Sequence, residues 1–564
     1  MALHKTVWQR TGALTLSVIL AATLAACGGA ANPTDTNSPG ATNEPAAKQD
    51  LVFAITGANL ENGHMDPHSS QIDSTFYVLR NVYDSLVALD TDGSFKPWLA
   101  TEWAVSPDGK TYVFKLREDV TFHDGEKFDA KAAAANFEHI VDPATASAQA
   151  LTMLGSELFA SAQATGEFEL TLTLTEPFAP LLTNLSTTAL GMASPKVLAD
   201  AGQDQLNAGG PAVNVGTGPF KMTNLVAKQE IVFEKNPDYA WAPELKTGDG
   251  VTSGPAKLDT LTVRIVPEEA GRVGALQSGA AQVAANLTPT GTAQLTGATI
   301  NRAASPGMPY SAFLNWGHGV FADKSVRQAF QQGFDLDTAV AAAFGGDYQR
   351  AWSILSPTTP NAYDPSIEGS WPFDQAKANE LLDQAGWTER DADGFRIKDG
   401  ERLSADWLSW LPFSDENRAL VNFMIDDLKK IGFELTHEAV EGPDYQARYF
   451  TEEDGFILDF DITDWGFASL DADVLRQHLH TDGYQNASQV SDPALDALLI
   501  TGASVTDPAK RLEAYRDVQQ WNAENVAIVP LYLPQFTTAS LPQVQGLLYD
   551  AYGWPLFHNV SLAK

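Results

Sequence analysis

Leu99–Ala130 reads LATEWAVSPDGKTYVFKLREDVTFHDGEKFDA. Two runs of alternating polarity flank Ser106-Pro107-Asp108-Gly109, a turn signal, so the stretch predicts a β-hairpin. Its DGKT superficially resembles a phosphate loop. A phosphate loop needs a glycine five residues before Gly109, where Ala104 stands, and it opens a helix, whereas Thr111 onward reads as strand. Phosphate binding is set aside on that ground. The segment that follows, FDAKAAAANFEHIVD from Phe128, predicts a helix with Asp129 as its N-cap.

Working outward, LVFAIT (Leu51–Thr56) predicts a first strand, and a Gly/Asn/Asp/Pro-rich loop follows it. Residues 71–90 place Ile72, Phe76, Leu79, Val82, Tyr83 and Leu86 at helical spacing. Beyond the hairpin come a strand in GEFELTLTLTEP and an apolar helix in FAPLLTNLSTTAL (Phe178–Leu190). Gly216–Trp241 reads as a Gly-Pro turn and two strands. Leu258–Leu287 switches from strand period to helix period and back to a short apolar run, a βαβ pattern that favours α/β layering. From Tyr310 the pattern restarts: strand YSAFLNW, helix SVRQAFQQGFDLDTAVAAAF (Ser325–Phe344), then helices FDQAKANELLDQAGW, ENRALVNFMIDDLKKIG and PAKRLEAYRDVQQWNAENV, and the run AIVPLYLP (Ala527–Pro534). The restart implies a second lobe with its own core.

At the N-terminus, LSVILAATLAACGGA (Leu16–Ala30) contains Cys27, the only cysteine of 564 residues. Lys5 and Arg10 precede an apolar stretch, Gly12–Leu24, too short to span a bilayer. Ala25 and Ala26 stand directly before the cysteine. This is the layout of a secretory signal peptide over residues 1–26. Leu24-Ala25-Ala26-Cys27 also resembles the lipobox of bacterial lipoproteins, which implies diacylglycerol on the Cys27 thiol and a two-chain anchor. Residues 27–50 are small, polar and Pro-containing and predict a disordered tether. The expected location is the extracytoplasmic face of the cell membrane, held by lipid. The remaining chain is too long for one core. A formal charge of −35 argues against nucleic acid and anionic lipid as partners, and mildly favours cationic ligands at long range.

Taken together, the residues resemble the extracellular solute-binding proteins of ABC importers, family 5, whose members bind dipeptides, oligopeptides or nickel. Leu99–Ala130 matches the family signature almost residue for residue. GTGPF (Gly216–Phe220), FADKSVRQAF (Phe321–Phe330), FDQAKANELLDQAGW (Phe373–Trp387) and SDPALDALL (Ser491–Leu499) match further blocks in family order. The resemblance implies an α/β, two-lobed periplasmic-binding-protein-like fold with a hinged cleft and an extra subdomain in lobe I. By that analogy lobe I covers residues 51–302, lobe II covers 303–526, and residues 527–564 return to lobe I, entering through AIVPLYLP. Closure is expected about Ala303–Tyr310 and Val526–Pro530. The implied function is capture of a small solute, with short peptides the family default, and delivery to a membrane permease driven by cytoplasmic ATPase subunits. A nickel or metal chelate, an opine and an oligosaccharide are the other ligand classes. The expected state is a monomer without cofactor.

Two segments supply candidate ligand contacts. HMDPHSS sets His64, Asp66 and His68 at H-x-D-x-H spacing, a donor set that suits zinc, nickel or copper, and the resemblance puts Asp66 and His68 beside the cleft. DITDWGFASLDADVL (Asp461–Leu475) corresponds to the family segment that lines the cleft from lobe II. Peptide binders there carry an acid three residues after the tryptophan, which pairs with the peptide ammonium; here that position is Ala468. Asp464 or Asp471 is the expected replacement, with Trp465, Gly466 and Phe467 offering flat apolar surface. Neither G-x-S-x-G nor H-E-x-x-H occurs, and HEAVE at His437 lacks the second histidine. An enzyme is therefore not expected; a secreted hydrolase is the alternative from another class.

Overall fold

A computed structural model describes residues 48–563 apart from 58–59, 61–63, 246–253, 412 and 450–457. The signal segment, Cys27 and nearly all of the tether lie outside the described residues. The tether ends earlier than expected: Asp50 already opens the first strand, and the Gln49 amide donates to Asp259.

The Leu99–Ala130 stretch folds as its pattern dictates. Strands Ala100–Val105 and Thr111–Leu116 pair antiparallel, Val105 opposite Tyr112, across a turn in which Gly109 takes φ +69°. Tyr112, Phe114 and Leu116 point inward and Lys115 outward. Strands Glu169–Leu174 and Phe159–Gly166 complete a four-stranded sheet. Helix Ala130–Val141 covers it, its N-terminus capped by the Asp129 carboxylate, which accepts from the amides of Lys131 and Ala132. This subdomain is inserted between the first strand of the chain and the rest of its sheet.

Two larger sheets carry the lobes. The first has seven strands in the order Thr299–Ala304, Gln535–Ser540, Val283–Ala285, Asp50–Ile55, Thr260–Ile265, Glu230–Lys235, Phe220–Val226. Asp50–Ile55 runs parallel to both of its neighbours, as the βαβ reading requires. The second has five strands in the order Glu434–Val440, Ser404–Trp410, Ile462–Ala468, Gly307–Leu314, Ile528–Tyr532. The chain passes between the sheets at 305–306 and at 533–534, and the two crossings are tied together, the Ser305 amide donating to the Pro534 carbonyl at 2.9 Å.

Four local expectations change. Over residues 71–90 only Asp73–Leu79 is helical; Val87–Leu89 is a strand paired with Phe95–Pro97. The carbonyls of Asn81 and Val82 are taken by the amides of Phe220 and Gly218, which ends the helix ladder. That approach needs glycine: a Cβ on Gly216 would stand 2.1 Å from the Val82 oxygen. Phe178–Leu190 is helical only at Leu181–Asn184, followed by a 3-10 turn, because the Ser186 and Thr187 hydroxyls bond back to the Thr183 and Asn184 carbonyls. Ser325–Phe344 divides into Lys324–Gln332 and Leu336–Ala343, where Asp335 caps a new start. AIVPLYLP does not lead into lobe I. Its strand pairs with Gly307–Leu314 at the edge of the second sheet, where Pro530 needs no amide, and the next strand, Gln535–Ser540, makes the return.

Candidate functional site

The carboxyl end of strand Ile462–Ala468 faces the first turn of helix Asp73–Leu79, and the space between them is a cleft of three adjoining chambers. An outer chamber of about 390 Å³ is walled by Gln71, Asp73, Gln149, Phe467, Gln535 and Trp554. A second, of about 330 Å³, lies between Gln149, Phe467, Asp471, Asp473, Arg476 and Tyr484. A small inner recess of about 90 Å³ runs behind Asp73 and Ala468, between Phe76, Trp98, Tyr552 and Trp554. Gln149 borders all three. Every chamber therefore draws residues from both sheets or from the inserted subdomain, the position where open α/β layers bind ligands.

The outer chamber is rich in acceptors. Asp73 sits at the helix N-terminus, where the positive end of the helix accommodates its charge. Asp73 is exposed to the void, and the protein packed about it pushes its carboxyl up to about 6. Among the described residues no cation and no hydrogen-bond donor offsets it. Gln535 donates its amide to the Asp347 carbonyl, while its buried side-chain oxygen has no partner. Arg80, in the inner recess, is not free to balance Asp73: its guanidinium donates to the carbonyls of Tyr83 and Ser186 and to the Ser85 hydroxyl, and lies over the Trp98 ring. In the second chamber the charges are settled internally. Arg511 pairs with Asp471, and Arg476 grips Asp473 through two hydrogen bonds of 2.9 and 2.7 Å.

The residues singled out from sequence divide. Gly466 and Phe467 line the outer chamber and Asp471 the second. Asp464 does not face the cleft. It is buried inside lobe II, accepting from Trp407 Nε1 at 3.0 Å and Ser409 Oγ at 2.9 Å, and burial raises it to about 7. It stands further back along the strand than Gly466–Ala468, whose end of the strand reaches the cleft. Trp465 is likewise part of the lobe-II core, stacked on Phe313 at 4.0 Å and donating to His478. Asp66 and His68 lie beneath the cleft wall, not on it: Asp66 accepts from Gln203 and from the His68 amide, and His68 Nε2 donates to the Gly191 carbonyl. Burial lowers His68 to about 4. His64 is not grouped with them; His139, from helix Ala130–Val141, is. The pattern missed Gln71, Asp73, Gln149, Gln535 and Trp554. An aspartate opening an apolar helical run was the only local signal for Asp73; Gln535 and Trp554 come to the cleft through the return of the chain, which no local pattern announces.

The model of the bacterial extracellular solute-binding proteins, family 5 (middle), matches residues 94–486. The chain belongs to this family. A nickel-binding periplasmic protein of Escherichia coli (strain K12) is 26% identical over 515 residues, covering 89% of this chain and 93% of the relative. The glutathione-binding protein GsiB of the same strain is 26% identical over 518 residues, 89% and 92% of the two chains. NikA from Brucella suis, solved with Fe(III)-EDTA, superposes with a TM-score of 0.76 at 25% identity, over 91% of this chain and all of that one. The oligopeptide-binding protein AppA from Bacillus subtilis, solved with a nonapeptide, shares the fold at a TM-score of 0.73, covering 92% and 100%. The family 5 protein described here is thus a two-lobed, extracytoplasmic solute-binding component of an ABC-type importer, not an enzyme. None of its described helices is long and apolar enough to cross a membrane.

Proposed function

We propose that the protein captures solutes bearing a cationic group, short peptides with a free ammonium first among them, and seats that group against Asp73. The observation that carries this reading is the uncompensated Asp73 carboxylate in the chamber where Ala468 leaves the usual acid out and which Gln535 also lines. The protein packed around this exposed carboxylate partly desolvates it with no counter-ion, and a ligand cation would offset that. Phe467 and Trp554 flank the same space and suit the apolar part of a side chain. Lobe I, in this reading, runs from residue 51 to the first crossing, lobe II from there to 532, and the remainder returns; closure turns on the paired crossings at 305–306 and 533–534. The closed monomer then presents the ligand to its permease. The lipobox-like sequence supports anchoring through Cys27, and Cys27→Ser should move the protein from the membrane pellet to the soluble fraction of its host.

The deciding experiment compares dipeptides, their N-acetylated forms, arginine-containing peptides and metal chelates by thermal shift and calorimetry. Free-ammonium ligands should bind and N-acetylated ones should not. Equal affinity for both forms would remove Asp73 from the recognition of charge.

A further inference from the structure

We propose that Asp66, His68 and His139 form a binding site for one divalent cation of the imidazole-favouring class, Zn(II), Ni(II) or Cu(II), apart from the ligand cleft. Ligand atoms of these three side chains all lie within 4.8 Å of one another, and no other such group occurs among the described residues. Two ring nitrogens and one carboxylate oxygen are a donor set these metals accept, leaving a fourth position for water.

The orientation of the rings is already that of a ligating pair. A carbonyl only accepts, so His68 Nε2, 2.9 Å from the Gly191 oxygen, carries the proton and leaves Nδ1 bare. That Nδ1 stands 3.0 Å from His139 Nδ1. Nitrogens each about 2.0–2.1 Å from a tetrahedral zinc stand about 3.3 Å apart, so the pair has to open by only a few tenths of an ångström. Outer partners hold the rest: Gly191 fixes the His68 tautomer, and Gln203 donates to Asp66 at 2.7 Å, the carboxylate support that ligating groups commonly have. In the metal-free state His139 Nδ1–H donates to His68. Coordination moves that proton to His139 Nε2, so both rings remain neutral and no proton is released. His139 is half-buried and gives the metal its approach, while Asp66 and His68 are closed off.

The three residues come from two separate parts of lobe I. Asp66 and His68 belong to the loop that continues into Gln71–Ser74 on the cleft wall, and His139 to the helix of the inserted subdomain. A bound cation would clip that wall to the subdomain, and it does not depend on what the cleft captures.

The full chain, without an affinity tag and dialysed against EDTA, is titrated with Co(II) while its visible absorption is followed, then with Zn(II). One equivalent of Co(II) should give the intense d–d bands of a tetrahedral site, and Zn(II) should abolish them. His139→Ala and Asp66→Asn should each eliminate the bands. His139→Gln retains a side-chain donor toward His68 and preserves the packing, so its far-ultraviolet dichroism should match the parent while the bands are lost. Absence of the bands in the parent protein would overturn the proposal, as would bands that persist in His139→Gln. Uptake that His139→Gln keeps and Asp73→Asn loses would place the metal in the cleft, which also overturns it.

Discussion

The two outer chambers of the cleft are similar in volume, about 390 and 330 Å³, but their charges are arranged in opposite ways. In the second chamber the two carboxylates of the wall, Asp471 and Asp473, are paired with Arg511 and Arg476, while Asp482 stands exposed at its edge. In the first, Asp73 opens to the void without a partner among the described residues, and Gln535, whose buried oxygen has none either, lines the same space. Ion pairs that close on themselves hold a wall in shape and have little left for a ligand. Open acceptors weaken the empty protein and strengthen the filled one. The same cleft thus separates framework from recognition, and the number of charged residues in a chamber is a poor guide to which it is.

The comparison can be broken by experiment. The largest effect should come from Asp471→Asn, which strands the Arg511 guanidinium against a nearly closed wall; unfolding in urea should show a loss of roughly 3–5 kcal/mol, as when one partner of a buried pair is removed. Ligand selectivity should survive. Selectivity that disappears while stability holds would reverse the roles assigned to the two chambers. Asp73→Asn should do the opposite: calorimetry should report affinity for a free-ammonium ligand weaker by about 2–3 kcal/mol, the low end for a charge pair that keeps one side open to water. The empty protein should be no less stable at neutral pH.

Acidity offers a third, smaller lever. With the Asp73 carboxyl at about 6 in the empty protein, it is mostly ionised at pH 7 and mostly protonated at pH 5. A ligand cation prefers the ionised form, so affinity should fall about tenfold between those two values, and Asp73→Asn should flatten the profile. A pH-independent affinity in the parent would sever Asp73 from binding. The smallest effect is expected of Gln535→Leu, which removes a neutral acceptor together with the donation to the Asp347 carbonyl; its cost should be about 1 kcal/mol in affinity, read from the same titrations. No change there would mean that the Gln535 oxygen is met by water and not by ligand.

Much of the fold was readable from local pattern. The hairpin at Leu99–Leu116, the Asp129 cap and the βαβ unit from Leu258 to Leu287 form where alternation, turn residues and capping side chains place them. Three of the four departures share one cause. At Val82, at Gly333 and in Ala527–Pro534 the chain is shaped by a partner remote in sequence: the Gly216–Phe220 turn, the last turns of helix Asp415–Lys430, where Leu428 and Ile431 pack on Gly333 and Asp427 accepts from the Asp335 amide, and the strand Gly307–Leu314. Apolar spacing reports that a residue is buried but not against what, so it reads helix at 71–90 where tertiary hydrogen bonds end one.

The candidate site was less readable for the same reason. Two segments drew attention from sequence, the loop after the first strand by its H-x-D-x-H spacing and Asp461–Leu475 by family resemblance, and residues of both border the chambers. Within each, side-chain direction was not encoded locally. Position along the strand separates Gly466–Ala468, at the end that reaches the cleft, from Asp464 and Trp465, which lie deeper in lobe II; loop geometry buries Asp66 and His68 and leaves Gln71 and Asp73 on the wall.

By itself, the sequence determined the α/β class, the two restarted layers, the exported acidic character and the family, since all of these rest on composition, short-range periodicity and ordered motif blocks. Only the tertiary structure decided which carboxylates are spent and which are open. Whether Asp73, Asp464 or Asp471 keeps its charge for a ligand depends on which donors lie within about 3 Å of it, and those donors come from Trp407, Ser409 and Arg511, far along the chain. Burial and pairing are properties of neighbours in space, and the chain order of these residues does not contain them.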